Sequence, residues 1–537
     1  MAAARGRAVR GAVAALALLL PILGCTDDDP DLGPAAGPTT AAPVAPGTVR
    51  LGLSGPIVAD PLDASPASSS DLMVLDLLHD GLTRLDDEGV AEPALASRWV
   101  ANDTHTAFRF QLATEATFAS GREVTPADVI ASLERVMAAG DTSLAALSLE
   151  TVTGFRAFVD GEAEHVSGLS APDERTVRVA LTTPLAVLPE VLSSPLLGVV
   201  DIDALEDGDL AALDLSGAWT VADVDDDDDV LRLDHRSGAP GELSGVELHP
   251  FEDDGGAYAA FDDSEVDWAA VPGDRYDQAL EDHGDDSFAP FHAELFFGMN
   301  LSTPNLADPA LRQAIVQAID RDEIVQDVYP DLADPLSTIV PAGVPGHEPA
   351  SCAACSYDPD AAEATLQAAF PDGAVPTVRI DFDESPAQEA MAELIASDLD
   401  DVGIPTELRP LPLEEYKRFV VSGDQELFSF GWIGAYGSPD AYLAPLFGSA
   451  SDDNLTDYRS DEVDGLLGRV RSGADPAQNG EQWVAAEQQI LAAAAAAAAA
   501  VIPIAQFRTQ VVVADRVQGF VHAVDGTVDW SQVRLED

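Results

Sequence analysis

The chain has 537 residues, enough for three to four units at about 150 residues per domain. Its 95 acidic and 27 basic residues leave a net charge of −68. Such a surface repels phosphate backbones and anionic head groups, which excludes nucleic-acid binding as a main function. Apolar residues make up 46% and are spread along the whole length, which favours a folded body with an acidic exterior over disorder. Lys417 is the only lysine. The acid excess suggests a saline habitat, where screening removes self-repulsion.

Arg5, Arg7 and Arg10 precede an apolar stretch, Ala12–Leu20. The stretch is too short to cross roughly 30 Å of hydrocarbon and reads as a secretory signal. Ile22-Leu23-Gly24-Cys25, followed by Thr26-Asp27-Asp28, resembles the lipobox of bacterial lipoproteins. The resemblance implies that residues 1–24 are removed and that Cys25 becomes the acylated mature N-terminus. Each buried methylene of such an anchor contributes about 0.8 kcal/mol. Residues 25–48, rich in Asp, Pro, Ala, Gly and Thr without apolar periodicity, read as a solvated tether. No later segment reaches eighteen uninterrupted apolar residues, so the rest is expected to be a soluble body held at the membrane through lipid alone.

Val49–Leu53 alternates at period two and predicts a strand, Leu72–Leu78 predicts an amphipathic helix, and Thr106–Leu112 predicts another strand. At Thr125-Pro126-Ala127-Asp128 a helix begins, with Thr125 as cap and Asp128 completing a variant capping box. Asp308-Pro309 and Asp358-Pro359 repeat that start, and Asp320 is expected to cap a short helix. Strand patterns return at Val378–Phe382, Thr406–Pro410, Leu427–Gly431 and Gln510–Val513. The nine alanines Ala492–Ala500 predict the extension of a helix begun near Gln482, since alanine costs least in a helix. Strands alternating with helices point to an α/β chain.

Several clusters imitate chemistry. The nine histidines form no zinc pattern, and neither a nucleophile elbow nor a phosphate-cradling glycine loop occurs. Asp223, Asp225 and Asp227 have calcium-loop spacing, but Asp228 replaces the loop glycine and Asp234 the final glutamate. A solvated hairpin turn between Trp219–Val221 and Val230–Leu233 is the preferred reading. The pair Cys352 and Cys355 lies in an exported chain, where a small-loop disulfide is expected ahead of a metal site. Nothing here supports catalysis, a cofactor or a metal.

Leu77–Leu82, Glu92–Trp99, Phe108–Leu112, Phe118–Gly121 and Val124–Val129 resemble, in order, the bacterial extracellular solute-binding family 5. These are the oligopeptide, dipeptide and nickel receptors of ABC importers. The likeness continues through Phe297–Asn300, Leu311–Ile315, Ala318–Arg321, Tyr357–Pro359, Gly431-Trp432 and Val501–Ile504, and covers roughly residues 49–530. It implies a two-lobed α/β fold of the periplasmic-binding-protein type, large peptide-receptor class, with an inserted subdomain in lobe I. Residues 49–79 and 195–290 would then form the lobe I core and 80–194 the insert. Residues 291–505 would form lobe II and 506–537 the return to lobe I, with hinge crossings near 290 and 505. Ligand would sit between lobes that close around it.

The segment from Gly431 to Asp440 resembles the family's cleft loop, where peptide receptors place a carboxylate three residues after the tryptophan to pair with the ligand's α-ammonium. This chain has Ala435 there. Either Asp440 or another acid substitutes, or the ligand is not a standard peptide. Trp432 and Tyr436 are expected to stack on the ligand, and Asn300 is a further candidate contact. The expected function is that of a monomeric lipoprotein on the outer face of the cytoplasmic membrane. It would capture a peptide or similar small solute and deliver it to an ABC permease, without enzymatic activity. The alternatives are a signalling or scaffold protein that keeps the fold, a binder of a non-peptide solute such as a metal chelate, and an extracellular hydrolase using some of the many carboxylates.

Overall fold

The computed structural model describes residues 47–86, 89–140, 143–206, 208–225, 229–236, 242–284, 288–349, 356–473, 479–491 and 500–536. Cys25, Cys352, Cys355, the tip of the Asp225–Asp229 turn and Ala492–Ala499 lie outside the described residues.

The alternation at Val49–Leu53 becomes the strand Thr48–Ser54, with Val49, Leu51 and Leu53 buried. It runs parallel to Gly245–Phe251 on one side and to Trp268–Ala270 on the other. Val230–His235 and Trp219–Asp225 extend this six-stranded sheet by antiparallel pairing, the hairpin expected there. Val511–Val513 closes the opposite edge. Asp267, 1% exposed, immediately precedes the inner strand Trp268–Ala270 and accepts from Arg50 and Arg516 together. A buried carboxylate needs such partners.

A second six-stranded sheet is centred on Pro290–Met299, flanked by Leu427–Ile433 and Val501–Arg508, both antiparallel to it. Val378–Asp383 and Thr406–Leu411 add parallel strands, and Ala333–Pro335 forms the far edge. Every residue from Phe291 to Met299 is buried, as a strand covered on both faces requires. A four-stranded antiparallel sheet, Ala96–Ala101, Ala107–Leu112, Thr176–Ala180 and Leu169–Asp173, carries the helix Pro126–Met137. Phe108, Phe110 and Leu112 point into its core.

One apolar core runs through the second sheet and the four-stranded sheet, joining Phe110 and Val129 to Phe296, Ile315 and Ile380. Another, with Leu51, Trp219, Leu248 and Trp268, belongs to the first sheet. The chain passes from the first six-stranded sheet to the second through residues 271–289, and back through Thr509 and Gln510.

Helix starts follow local chemistry. The Thr125 hydroxyl accepts from Asp128 N–H at 3.4 Å while the Asp128 carboxylate accepts from Thr125 N–H at 2.8 Å. Asp308, Asp320 and Asp358 each cap the helix that follows them. The helix Asn479–Leu491 begins slightly before Gln482. Ala500 is not helical: its carbonyl accepts from Met299 N–H at 2.8 Å, which commits it to the sheet rather than to the alanine run. No helix among the described residues is long and apolar enough to cross a membrane.

Candidate ligand cleft

The strand Leu427–Ile433 ends in the loop Gly434–Pro439, which leads directly into the helix Asp440–Phe447. Gly434 lies against the Tyr442 hydroxyl, and a side chain there would collide with it. The Trp432 indole N–H donates to the Ala441 carbonyl at 2.8 Å, fixing the ring at the strand end. The Tyr436 hydroxyl donates to Asp440 Oδ2 at 2.9 Å. Arg471, from the helix Asp461–Arg471, closes a two-point fork on the same carboxylate, Nε to Oδ1 at 2.7 Å and Nη2 to Oδ2 at 2.8 Å. Bidentate pairs of this kind combine charge with fixed orientation.

Electrostatics match that geometry. Burial disfavours the charged form of Arg471, yet the Asp440 carboxylate outweighs it and raises the guanidinium pKa. Burial, with the charge of Asp440 behind it, pushes the Tyr436 hydroxyl well above its ordinary value. Glu190 is carried up to about 7, mainly by burial and then by Asp440.

This loop forms one wall of a cavity of about 740 Å³, within the range that encloses small ligands. Trp432, Ala435, Tyr436 and Arg471 face it from one side, and Leu144, Leu147, Thr151 and Leu185 from the other. The second wall belongs to the segment around the four-stranded sheet, so the cavity lies between two stretches of the chain far apart in sequence. The walls touch where Ala186 N–H donates to the Arg471 carbonyl at 2.7 Å, and where His105 Nδ1 meets the Ser472 carbonyl at 2.8 Å. Glu150, Asp453 and Asp464 also line the cavity. Asp440 already engages Arg471, so the field inside is negative.

Of the residues expected at a site, Trp432, Ala435 and Tyr436 come together on the cavity. Asp440 lies directly behind them with its side chain 0% exposed and both oxygens engaged by Arg471. Asn300 does not line the cavity. Its amide nitrogen donates to the Gly423 and Gln425 carbonyls at 3.0 Å each, and its oxygen accepts from Ser302, a loop-fastening role. Sequence reasoning missed Arg471 and the whole Leu144–Leu185 wall. No motif marks them, and only folding brings them to the loop.

A family model for "Bacterial extracellular solute-binding proteins, family 5 Middle" matches residues 90–454, more than half of the chain. The glutathione-binding protein GsiB of Escherichia coli K12 is 24% identical over 449 residues, spanning 80% of this chain and 83% of that protein. Among solved structures, the periplasmic murein tripeptide binding protein MppA in its unliganded open form superposes with a TM-score of 0.80 at 20% identity, covering 92% of this chain and 98% of that one. Listeria monocytogenes OppA bound to peptide gives a TM-score of 0.61 at 18% identity, covering 92% and 100%. These superpositions show the two-lobed mixed α/β fold. The chain belongs to the bacterial extracellular solute-binding proteins of family 5, a family of binding receptors.

Proposed function

We propose that this protein is the lipid-anchored receptor of an ABC importer, which captures a short peptide or similar solute in the 740 Å³ cavity and delivers it to the permease. The observation that carries this function is the cavity itself. It is roomy, it is walled by two stretches of the chain far apart in sequence, and it is lined by Trp432 and Tyr436. Enclosing a ligand there removes it from water, so a few fixed polar groups gain strength. Trp432, Ala435 and Tyr436 are its ligand contacts, and Asp440 acts on the ligand only through Arg471 and Tyr436. Residues 49–79 and 195–290 are taken as the lobe I core, 80–194 as its insert and 291–505 as lobe II. Residues 506–537 return to lobe I, and the passages near 290 and 505 serve as the hinge. Relatives named for glutathione and for murein tripeptide make short peptides the first class to try.

Isothermal titration of the body from residue 49 onward against a short-peptide library is expected to give saturable binding, reduced at least tenfold in Trp432→Ala. No binding to any peptide would overturn the assignment of a short peptide as the captured solute. Labelling with radioactive palmitate, expected for the full chain and absent in Cys25→Ser, tests the anchor separately.

A further inference from the structure

Pro445 stands inside the helix Asp440–Phe447, sixth of its eight residues. Proline is tolerated in a first turn, where the N–H has no helical partner anyway. Further along it removes one helix bond, and its ring pushes on the carbonyl four residues back. This helix runs on through it. Leu443 N–H donates to the Pro439 carbonyl at 2.9 Å ahead of the gap, and Gly448 N–H to the Ala444 carbonyl at 3.0 Å beyond it. The carbonyl that loses its helical donor is that of Ala441, four residues before Pro445. Ala441 is 4% exposed, and a buried acceptor left without a partner bears the full cost of its lost hydration.

The donor that fills the vacancy is the Trp432 indole, whose Nε1–H reaches the Ala441 carbonyl at 2.8 Å. An indole carries one donor and no acceptor, so this bond satisfies its whole polar requirement. The vacated carbonyl and the indole therefore answer each other. Trp432, half-buried near the end of the strand Leu427–Ile433, lines the large cavity together with Ala441 and Pro445. One edge of the ring is tied to the helix, and the rest is left to the cavity. A backbone N–H at position 445 would compete with the indole for the same oxygen. A ring ordered in advance need not be ordered by the solute, and preorganisation of this kind appears as affinity.

We infer that Pro445 is a positioning residue for solute capture: by withholding an N–H from the Ala441 carbonyl it reserves that oxygen for Trp432 and fixes the indole as a preformed wall of the cavity. Pro445 acts through Trp432. The inference rests on the receptor function proposed above and adds to it a residue outside the loop motif. It also gives a reason for a helix-breaking residue at an interior helical position, where alanine would cost far less.

The test compares the wild type with Pro445→Ala, which returns an N–H to position 445 and favours the helix. In isotope-labelled protein the Trp432 indole N–H resonance, one of six and identified by its loss in Trp432→Phe, is expected to move upfield and to exchange faster with water in Pro445→Ala. The melting temperature is expected to hold or rise, while binding of the short-peptide library weakens about three- to tenfold, the range of one hydrogen bond. Trp432→Phe keeps a ring but has no N–H, so adding Pro445→Ala to it is expected to change peptide affinity no further. An unmoved indole resonance or an undiminished peptide affinity in Pro445→Ala overturns the inference. So does the same loss when Pro445→Ala is added to Trp432→Phe, which would make the effect one of the helix as a whole. Silence of the wild type toward the entire library overturns the short-peptide assignment, and the indole resonance alone then decides whether Pro445 holds the ring.

Discussion

Removing the cation from the Asp440–Arg471 fork gives the most quantitative test of the cleft. In Arg471→Met the Asp440 side chain, 0% exposed, keeps the Tyr436 hydroxyl as donor but loses both guanidinium bonds. Deleting one partner of a buried pair leaves the other charge uncompensated and costs about 3–5 kcal/mol.

Urea unfolding of wild type and variant at pH 7 is expected to differ by about 3–5 kcal/mol. Asp440→Asn is expected to cost less, about 1–2 kcal/mol, because the Arg471 side chain is 30% exposed and water in the cleft can solvate it. A penalty below about 1 kcal/mol at pH 7 would refute the assignment of Arg471 as the compensating charge. So would a larger loss in Asp440→Asn than in Arg471→Met.

Gly434→Ala drives a methyl into the Tyr442 hydroxyl and is expected to cost about 1–3 kcal/mol in a denaturant melt, with partial recovery in Gly434→Ala/Tyr442→Phe. Glu190, raised from 4.5 to about 7 chiefly by burial, holds a proton in the folded state that the unfolded chain gives up. Stability should therefore fall as pH rises between those values, and a pH series of melts on Glu190→Gln should lack that part of the fall. Asp267 behaves oppositely. Burial opposes its ionisation, but Arg516 and Arg50 more than offset this and hold its carboxyl below the usual value. Asp267→Ala should cost about 3 kcal/mol near neutrality, and the difference from wild type should shrink as pH falls below about 4, read from unfolding curves at each pH.

Local chemistry carried much of the architecture in the open. Thr125, Asp308, Asp320 and Asp358 cap helices because a side-chain oxygen reaches N–H groups only two or three residues away. Val49–Leu53 betrays a strand because the residues on its one polar-bearing face break the apolar run at period two. The central strand Pro290–Met299 carries no such mark. With both faces covered it needs apolar residues throughout, and a run of that kind fits a buried helix equally well.

The cleft divides along the same line. Trp432, Ala435 and Tyr436 lie within five consecutive positions where a strand runs into its loop, so a short motif was enough to find them. Which of 95 acids meets which of 27 bases has no local signature. Asp440 finds Arg471 from a separate helix, and Asp267 finds Arg516 from the far end of the chain. Asn300, plausible as a ligand contact from its place at a strand end, is consumed by carbonyls that folding delivers to it. Periodicity and capping act over a few residues and are written in the chain. Partnering of buried charge depends on distances through space, and those exist only once the sheets have packed.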